Sequence, residues 1–473
     1  MAGGVRTIYV DLDQTLVRVD LLQERLLVAI VRNPLILFQA IFWFLSGGHV
    51  RLKTEIAARC SVDAIHLPYN EELLSFLREE RRAGLSLVLA TSAPYAWAYA
   101  VARHLNIFDR VLATDEAHGN LKGERKLAII QQDSGGGPFG YAGDAPYDRP
   151  IFEAAQLPIV IGRDISLAGT QANKAILLRP KTDAIPAWLR SVRPYMWSKN
   201  ILIFAPAIAA HQLGQLWPNA FLAFLAFSLA ASALYLLNDL LDIDIDRKHP
   251  DKRDGPQASG AFCPSRALAL AIGLLIAAAA FAACLPPRFS LFLLGYVILN
   301  LLYSAVVKYV VVLDLLALAF LYLLRVFAGG AACHAHGTVW LFAFVFFLGL
   351  SLAHLKRYIE MAQQLKEGSA AATRPIYPLE SMDLLMKVGL SSGLISVLVL
   401  CLYVTAPQTA PIYKTPALLF IFCLFIFYWI ENIWRAARRG NIPGDPIYFI
   451  VTDYVTYLVG LGSMAVVWLA SVY

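Results

Sequence analysis

The stretch "FLAFLAFSLAASALYLLNDLLDIDIDR", Phe221 to Arg247, joins a long apolar run directly to a cluster of acids. Its apolar part is about twenty residues long, which is the length of α-helix that crosses the hydrocarbon core of a bilayer. Four aspartates then follow within eight residues, although charge at the edge of a membrane is costly. The stretch therefore predicts a transmembrane helix that ends in an acidic site.

The rest of the chain divides into a mixed part and an apolar part. Its 473 residues are 58% hydrophobic, with a mean hydropathy of +0.58, which is too apolar for an ordinary soluble enzyme. We predict an N-terminal domain over 1–180 with a cap at about 16–80, a linker over 181–198 and an all-α transmembrane domain over 199–473. About nine spans are expected, beginning near residues 199, 218, 265, 289, 310, 338, 386, 416 and 448.

The net charge of +6 is modest, and its distribution indicates a membrane protein rather than a partner of nucleic acid. If the N-terminal domain is cytoplasmic, the loops on the opposite side hold few cations beyond Arg288 and Lys414. We therefore expect a multi-pass protein of a bacterial inner membrane, with its soluble domain and acid cluster on the cytoplasmic side. The six scattered cysteines form no CxxC pair, so neither a disulfide framework nor a zinc site is expected.

The N-terminal part alternates apolar strands with helical stretches. The predicted strands are "RTIYVDLDQTL", "LSLVLATSA", "FGYAGDAPYD", "LPIVIG" and "KAILLRP". This alternation predicts a Rossmann-like parallel sheet with polar groups at the strand ends. The first two strands are separated by about 70 residues that include "LLVAIVRNPLILFQAIFWFLSGG", where Arg32 and Pro34 argue against a full span. We expect this insertion to form a helical cap that rests on the membrane surface.

Acids follow the first strand in a pattern that suits phosphate-ester hydrolysis. Such hydrolysis through a covalent intermediate needs a carboxylate nucleophile and a second carboxyl group that protonates the leaving oxygen. The candidate residues, in chain order, are Asp11, Asp13, Thr91, Lys126, Asp144 and Asp148. Each of them alone is more often structural than catalytic, so it is the ordered set that indicates a phosphatase.

This ordered set resembles the haloacid dehalogenase-like (HAD) phosphatase superfamily over about residues 6–180. The resemblance implies that Asp11 is the nucleophile and Asp13 the general acid and base. It also implies that Thr91 and Lys126 bind the phosphoryl group. One Mg²⁺ would be held by Asp11, Asp13, Asp144 and Asp148. The alternative is a regulatory or tethering module that binds phosphate without hydrolysing it.

In the membrane part, Asp239, Asp242 and Asp246 recur at helical spacing, which predicts that they share one helix face. Three carboxylates on one face repel one another unless a cation lies between them. We therefore predict a magnesium–diphosphate site, with Asp244 pointing away into solvent. The basic residues that follow, Lys248, Lys252 and Arg253, are candidate phosphate contacts. The alternative is a solvated helix end balanced by that basic run.

The pattern Asn238-Asp239-x-x-Asp242-x-x-x-Asp246 resembles the first Asp-rich motif of the UbiA superfamily of membrane prenyltransferases. The resemblance covers roughly residues 190–473, and "YSAVVK", Tyr303 to Lys308, fits the family's middle region. By that resemblance Asn238, Tyr303 and Lys308 bind substrate. The sequence departs from the family after the sixth span, where Lys356 and Arg357 stand in place of a second Asp-rich motif.

This departure changes the substrate that we expect, because a Lys-Arg pair suits a phosphate monoester. Together with "RPYMWSKN" and "YLLRVFAGG", it resembles the decaprenyl-phosphate phosphoribosyltransferase branch. That branch transfers 5-phosphoribose from phosphoribosyl diphosphate (PRPP) to a polyprenyl phosphate and serves cell-envelope glycan synthesis. The resemblance implies one or more Mg²⁺ at Asp239, Asp242 and Asp246, and a homo-oligomer such as a trimer.

Three further cations are candidate phosphate contacts. Arg193 and Lys199 border the same membrane face, and interfacial snorkelling is the alternative for both. Arg325 lies within a span and is functional by default, the alternative being a buried pair with Asp314.

The two halves can be joined by their chemistry. A phosphoribosyl product carries a 5-phosphate, which the fused phosphatase can remove to leave polyprenyl phosphoryl ribose. The rival interpretation is a UbiA-type prenyltransferase that uses a prenyl diphosphate and an aromatic acceptor, beside an independent HAD domain.

Overall fold

The computed structural model describes residues 4–115, 119–162, 164–179, 185–250, 252–335, 337–367, 377–407, 409, 412–442 and 444–472. Its N-terminal part alternates strands and helices, as predicted. In chain order these are β1 (Thr7–Val10), α1 (Leu21–Arg32), α2 (Leu35–Arg59), α3 (Glu71–Arg82), β2 (Ser86–Pro94), α4 (Tyr95–Leu105), β3 (Arg110–Thr114), α5 (Glu124–Asp133), β4 (Phe139–Gly143), α6 (Arg149–Ala154), β5 (Leu157–Ile161), β6 (Ile176–Leu178) and α7 (Ala187–Val192).

The strands form one parallel sheet of six strands in the order β3-β2-β1-β4-β5-β6. Thr7 at the start of β1 pairs with Ser86 on one side and Phe139 on the other. The order of the strands reverses between β1 and β4, and ligands of such sheets bind outside the carboxyl ends of the strands at this point. The predicted α/β sheet is confirmed, and β3 is an additional edge strand that the sequence analysis missed.

The insertion between β1 and β2 is helical, as predicted, and its second helix bends sharply. Gly48 in α2 has φ 61° and ψ −156°, which is outside helical geometry. The guanidinium of Arg59 lies 4.5 Å from the ring centroid of Trp43, although sixteen residues of straight helix would separate their backbones by about 24 Å. Helix α2 is therefore two limbs, residues 35–47 and 49–59, that fold back on each other.

The rest of the described chain is mainly helical. It comprises α8 (Ala205–Ala209), α9 (Leu213–Leu241), α10 (Ile243–Lys248), α11 (Pro264–Ala283), α12 (Pro287–Ala305), α13 (Leu313–Cys333), α14 (Val339–Glu367), α15 (Met382–Thr405), α16 (Leu419–Arg438), α17 (Pro446–Thr452) and α18 (Tyr454–Val472). Among the described residues, nine helices are long and apolar enough to cross a membrane, and eight of them match predicted spans. This is a multi-pass membrane protein.

One predicted span is missing from these nine helices, and one helix that was not predicted as a span is present. The span predicted near residue 199 is not one long helix, because a 3₁₀ segment (Pro194–Phe204) precedes the five-residue α8. Pro194 and Pro206 lie in the first turns of these two segments, where proline favours a new helix start. The ninth candidate helix is α2, which was not predicted as a span. A single crossing by α2 would put β1 and β2 on opposite sides of the membrane, yet these strands pair in one sheet. The other eight helices are therefore the candidate spans among the described residues.

Contacts divide the chain into two units, residues 1–191 with 239–269, and residues 192–238 with 270–473. The Asp-rich segment therefore groups with the sheet, whereas the predicted boundary put all of 199–473 in the membrane domain. Buried ion pairs, described below, also join that segment to α1. The predicted linker 181–198 contains α7, and its residues 181–184 lie outside the described part of the chain.

Candidate active sites

The predicted phosphatase residues gather at the carboxyl end of the sheet. Asp11 directly follows β1 and Asp144 directly follows β4, and these two strands are neighbours. Thr91 lies within β2 rather than at its end, because β2 continues to Pro94 through a register shift. Thr91 is fully buried, and its hydroxyl accepts a hydrogen bond from the amide of Ala93 (3.0 Å).

Lys126 lies at the centre of a buried charged cluster. Its amine is 3.0 Å from Asp11 Oδ2 and 3.5 Å from Asp148 Oδ2. It donates to the hydroxyl of Tyr141 (2.8 Å), which in turn donates to Asp148 Oδ2 (2.7 Å). Burial acts to lower the pKa of Lys126, but Asp11 and Asp148 outweigh it and raise the pKa overall. A charged amine therefore stands beside the predicted nucleophile.

The surroundings of Asp13 favour its protonated form. Burial, followed by the charges of Asp20 and Asp11, raises the pKa of Asp13 well above its ordinary value. One of its oxygens, Oδ1, accepts a hydrogen bond from the amide of Leu21 (2.9 Å). A carboxyl group that keeps its proton at higher pH is suited to protonating a leaving oxygen.

The carboxylates around Asp144 are ligands of the type that binds a divalent cation. Burial and the nearby charge of Asp11 raise the pKa of Asp144 to about 7, and Thr15 donates to Asp144 Oδ1 (2.8 Å). Asp148 Oδ1 is buried and has no hydrogen-bond partner among the described residues. Mg²⁺ prefers such oxygens, and its charge would relieve the repulsion. Over the described part of the chain, no three His, Cys, Asp or Glu side chains are already assembled around a metal-sized point. Asp11, Asp13, Asp144 and Asp148 remain the predicted ligands of the ion.

Lys53, from the second limb of α2, was missed by the sequence analysis. Its side chain is buried, and its amine donates to the carbonyl oxygen of Ser92 (2.5 Å) and to Asn120 Oδ1 (2.7 Å). Ser92 follows the predicted phosphate-binding Thr91, so the cap contributes a cation to the segment that carries this threonine. No local motif marks Lys53, because only the fold of the insertion brings it to β2.

The Asp-rich segment runs from the end of α9 through α10. Asp239 and Asp242 are buried, and the side chain of Asp246 is mostly buried. The helix breaks at Asp242, which has φ −94° and ψ 8° and caps α10. The three carboxylates therefore lie on two consecutive helices and not on the single helix that their spacing predicted.

The basic run after these acids makes protein contacts of its own. The amine of Lys248 is 2.9 Å from Asp63 Oδ2, and that of Lys252 is 3.5 Å from Asp246 Oδ1. Arg253 is exposed. Two of the three predicted phosphate contacts therefore already face a carboxylate.

A buried network of ion pairs connects α10 to α1. Arg247 donates to both oxygens of Glu24 (2.8 and 2.7 Å) and to the carbonyl of Ala258 (3.0 Å). Arg25 donates to Glu24 (3.0 Å) and forms a bidentate pair with Asp244 (2.8 and 2.6 Å). The prediction that Asp244 points into solvent was wrong, because Arg25 from α1 reaches it.

We expect Glu24→Gln to lower the free energy of unfolding by about 3 kcal/mol, because two buried guanidinium groups then lose a charged partner. Chemical unfolding of the purified protein in detergent measures this loss. The control is Glu55→Gln, which removes a surface pair with Arg59 and is expected to cost about 0.5 kcal/mol or less. Equal stabilities of the two variants would contradict the structural role of Glu24.

In the second unit, Arg357 is held by a cluster of protein groups. It forms a bidentate pair with Asp314 (2.6 and 2.5 Å), donates to the hydroxyl of Tyr303 (2.7 Å) and contacts Glu360. Tyr303 also donates to Asp314 (2.8 Å). Arg357 and Asp314 are both buried. Of the predicted Lys-Arg pair, Arg357 therefore already has carboxylate partners.

Arg325 is also satisfied within the unit. Its guanidinium donates to Asn200 Oδ1 (2.7 Å), the carbonyl of Leu321 (2.5 Å) and the hydroxyl of Tyr296 (3.1 Å). Arg325 is buried, and its guanidinium also lies over the ring of Tyr296. The buried pair with Asp314 that the sequence analysis offered as an alternative was wrong, because Asp314 pairs with Arg357. The sequence analysis did not single out Asn200 or Tyr296.

Two lysines of the second unit are less buried than Arg325 and Arg357. Lys199 and Lys356 are half-buried, and among the described residues neither amine is within ion-pair distance of a carboxylate. Both amines interact electrostatically with Asp445, the residue that precedes α17. Burial acts to raise the pKa of Asp445, but Lys199 and then Lys356 lower it overall. Two amines with remaining capacity for hydrogen bonds thus lie near one carboxylate.

The other predicted contacts are distributed over the same unit. The guanidinium of Arg193 lies 5.6 Å from the ring centroid of Tyr235, and Arg193 has a left-handed φ of 52°. Lys308 is buried, with its amine 5.3 Å from the ring centroid of Tyr309. Asn238 is half-buried next to Asp239.

Two family models match the chain. The model of the UbiA prenyltransferase family matches residues 200–444, and that of the haloacid dehalogenase-like hydrolases matches residues 8–153. Both families generally use Mg²⁺.

Two rhizobial proteins are similar to the chain over long stretches. An uncharacterized protein, y4nM of Sinorhizobium fredii, is 31% identical over 95% of this chain and 88% of its own length. The nodulation protein NoeC of Azorhizobium caulinodans is 30% identical over 56% of this chain and 87% of its own length.

Further similarity is confined to part of the chain. A decaprenyl-phosphate phosphoribosyltransferase of Mycobacterium tuberculosis is 32% identical over 42% of this chain and 67% of its own length. A solved UbiA homolog from Archaeoglobus fulgidus, bound to DMAPP and Mg²⁺, is 19% identical, with a TM-score of 0.46 over 59% of this chain and 99% of its own. The chain belongs to the UbiA prenyltransferase family and carries an N-terminal haloacid dehalogenase-like hydrolase domain.

Proposed function

We propose that this protein is a membrane phosphoribosyltransferase that moves 5-phosphoribose from PRPP to a polyprenyl phosphate. We further propose that its HAD domain removes the 5-phosphate of the product. The observation that carries the first proposal is the similarity to decaprenyl-phosphate phosphoribosyltransferase, at 32% identity over 205 residues. It agrees with Lys356 and Arg357 in place of a second acidic motif.

In the transfer step, an oxygen of the polyprenyl phosphate attacks C1 of the ribose. The C1–oxygen bond to the diphosphate breaks, and the diphosphate leaves with that electron pair. When bound, Mg²⁺ supplies positive charge to the leaving diphosphate. Asp239, Asp242 and Asp246 are the residues that we propose to hold it. The amines of Lys356 and Lys199 retain hydrogen-bonding capacity, which suits them to phosphate oxygens of a substrate.

In the hydrolytic step, a carboxylate oxygen of Asp11 attacks the 5-phosphate, and the bond from phosphorus to the ribose oxygen breaks. Asp13 gives its proton to that leaving oxygen and then takes a proton from the water that cleaves the aspartyl phosphate. Lys126, 3.0 Å from Asp11, neutralises charge on the phosphoryl oxygens. Release of inorganic phosphate restores Asp11 and the proton of Asp13.

The fusion gives a physical reason for the two activities to act in sequence. A lipid product that stays in the same membrane meets the second site of the same chain at a high effective concentration. We propose that both sites face the cytoplasm and that the membrane is the bacterial inner membrane. The charge asymmetry between the loops supports this orientation.

The test is an assay of the purified protein in detergent with Mg²⁺, labelled PRPP and a polyprenyl phosphate, with the lipid products identified by mass spectrometry. A ribosylated lipid supports the transferase. Turnover of a labelled prenyl diphosphate with an aromatic acid, without use of PRPP, would overturn it in favour of an aromatic prenyltransferase. A lipid product that keeps its 5-phosphate would overturn the coupling alone.

We expect Lys356→Met to raise the KM for PRPP or for the polyprenyl phosphate about 10- to 100-fold, because a charge-assisted hydrogen bond to phosphate is lost. Titrating each substrate separately identifies which phosphate the lysine binds. The control is Lys387→Met, because Lys387 is exposed and pairs with Asp383 on the same helix. An unchanged KM for both substrates would remove Lys356 from the site.

A further inference from the structure

The first limb of α2 presents an apolar surface that the described part of the chain leaves uncovered. Residues 35–47 contain no charged side chain. Phe38, Phe42 and Leu45 are 68%, 61% and 77% exposed, whereas Trp43 is buried. A run of exposed large apolar side chains of this kind marks an interaction surface.

We propose that this limb inserts into one leaflet of the bilayer as a monotopic anchor of the phosphatase domain. In this proposal, lipid acyl chains cover the apolar surface. The proposal does not depend on which substrate either site uses.

The contacts of α1 put the start of the limb at the edge of the membrane. Arg32, the last residue of α1, donates to the carbonyl of Leu241 (3.0 Å), and Leu241 ends the spanning helix α9. Val28 of α1 packs against Leu240, which lies next to Leu241 in the last turn of α9. Leu35 follows Arg32 by three residues, which cover at most about 10 Å. The limb therefore begins at the level where a spanning helix leaves the hydrocarbon.

The geometry of α2 fits shallow insertion and excludes a crossing. The thirteen residues of the first limb are about 20 Å long at 1.5 Å per residue, against about 30 Å of hydrocarbon. The bend at Gly48 then turns the chain back, so that the second limb returns to the sheet, where Lys53 and Ile56 are buried.

Two basic groups of α2 lie beside the first limb, Arg51 at the exposed Phe42 and Arg59 at the buried Trp43. The guanidinium of Arg51 lies 5.7 Å from the ring centroid of Phe42, and that of Arg59 lies 4.5 Å from that of Trp43. Both arginines belong to the second limb. Cations beside an apolar helix face are favourable at a surface of anionic phospholipid headgroups. The arrangement therefore has the charge distribution of an interfacial anchor.

The test is photolabelling of the full chain in vesicles of phosphatidylcholine and phosphatidylglycerol that carry a diazirine on an acyl chain. After digestion, mass spectrometry locates the lipid adducts. We expect adducts on residues 35–47 and on the eight spans, but not on residues 49–59. A first limb without adducts, while the spans are labelled, would overturn the proposal. Cross-linking of the limb to a second copy of the chain by a photoreactive amino acid placed at Phe42 would also overturn it.

Paired variants separate insertion from misfolding. Phe38→Glu combined with Phe42→Glu should reduce the adducts on the limb about tenfold or more, because carboxylates are disfavoured in hydrocarbon. The matched control, Thr54→Glu with Ala58→Glu, adds two acids at exposed positions of the second limb and should leave the labelling unchanged. Labelling of the spans checks that each variant is folded and inserted. An equal loss in both variants would contradict the anchor.

Discussion

Replacing Asp11 with asparagine is expected to slow phosphate release at least about 1000-fold, because the amide cannot act as the attacking carboxylate. The lipid product should then accumulate as its 5-phosphate. Lys126 keeps Asp148 as a partner at 3.5 Å, so the buried cluster does not lose its last carboxylate. Mass spectrometry of the lipid products, together with an assay for inorganic phosphate, measures the effect.

The formation of the 5-phosphoribosyl lipid itself serves as the internal control, since it should continue at the wild-type rate. The matched variant is Glu72→Gln, an acid-to-amide change at an exposed position of α3, which should change neither activity. If Asp11→Asn still released phosphate at the normal rate, the HAD domain would be a binding module and the phosphatase would lie elsewhere.

The second large effect is expected at the Asp-rich segment. If the proposed function is correct, Asp239→Asn or Asp242→Asn should lower the rate of ribosyl transfer about 100-fold or more, because these carboxylates would hold Mg²⁺ beside the leaving diphosphate. Both residues are buried at the junction of α9 and α10. Transfer from labelled PRPP to a polyprenyl phosphate is the measurement.

Hydrolysis of a small soluble phosphate ester by the same variants reports on folding, because residues 239–269 belong to the same unit as the sheet. It should remain at the wild-type rate. Asp254→Asn, at an exposed position of the following loop, is the control for a general loss of negative charge. Undiminished transfer in both variants would mean that this segment does not hold the diphosphate.

Much of the candidate phosphatase site could be predicted from the sequence because its parts lie at strand ends. A parallel sheet brings the carboxyl ends of its strands to one edge, so Asp11 and Asp144 were expected near each other. Lys53 could not be found in this way. It reaches β2 only because α2 bends at Gly48 and the second limb lies on the sheet domain.

Charged residues near the membrane were harder to interpret, because a motif gives spacing but not partners. Asp244 and Arg247 belong to the acidic and basic runs, yet both pair with residues of α1 that are more than 200 positions away. Arg357 and Arg325 likewise have buried partners on other segments. Buried guanidinium groups require such partners, and the sequence does not indicate which of several acids supplies them.

The sequence alone determined the class of this protein, because apolar length, strand and helix periodicity, and the spacing of acids are local properties of the chain. They were sufficient for a parallel α/β domain and a multi-span helical domain, and they predicted two acidic sites. The tertiary structure decided that residues 239–269 group with the sheet, that α2 folds back at Gly48, and which cations are already paired. These features depend on contacts between residues distant in sequence, where burial removes water and leaves each charge to be satisfied by whichever group the fold brings beside it.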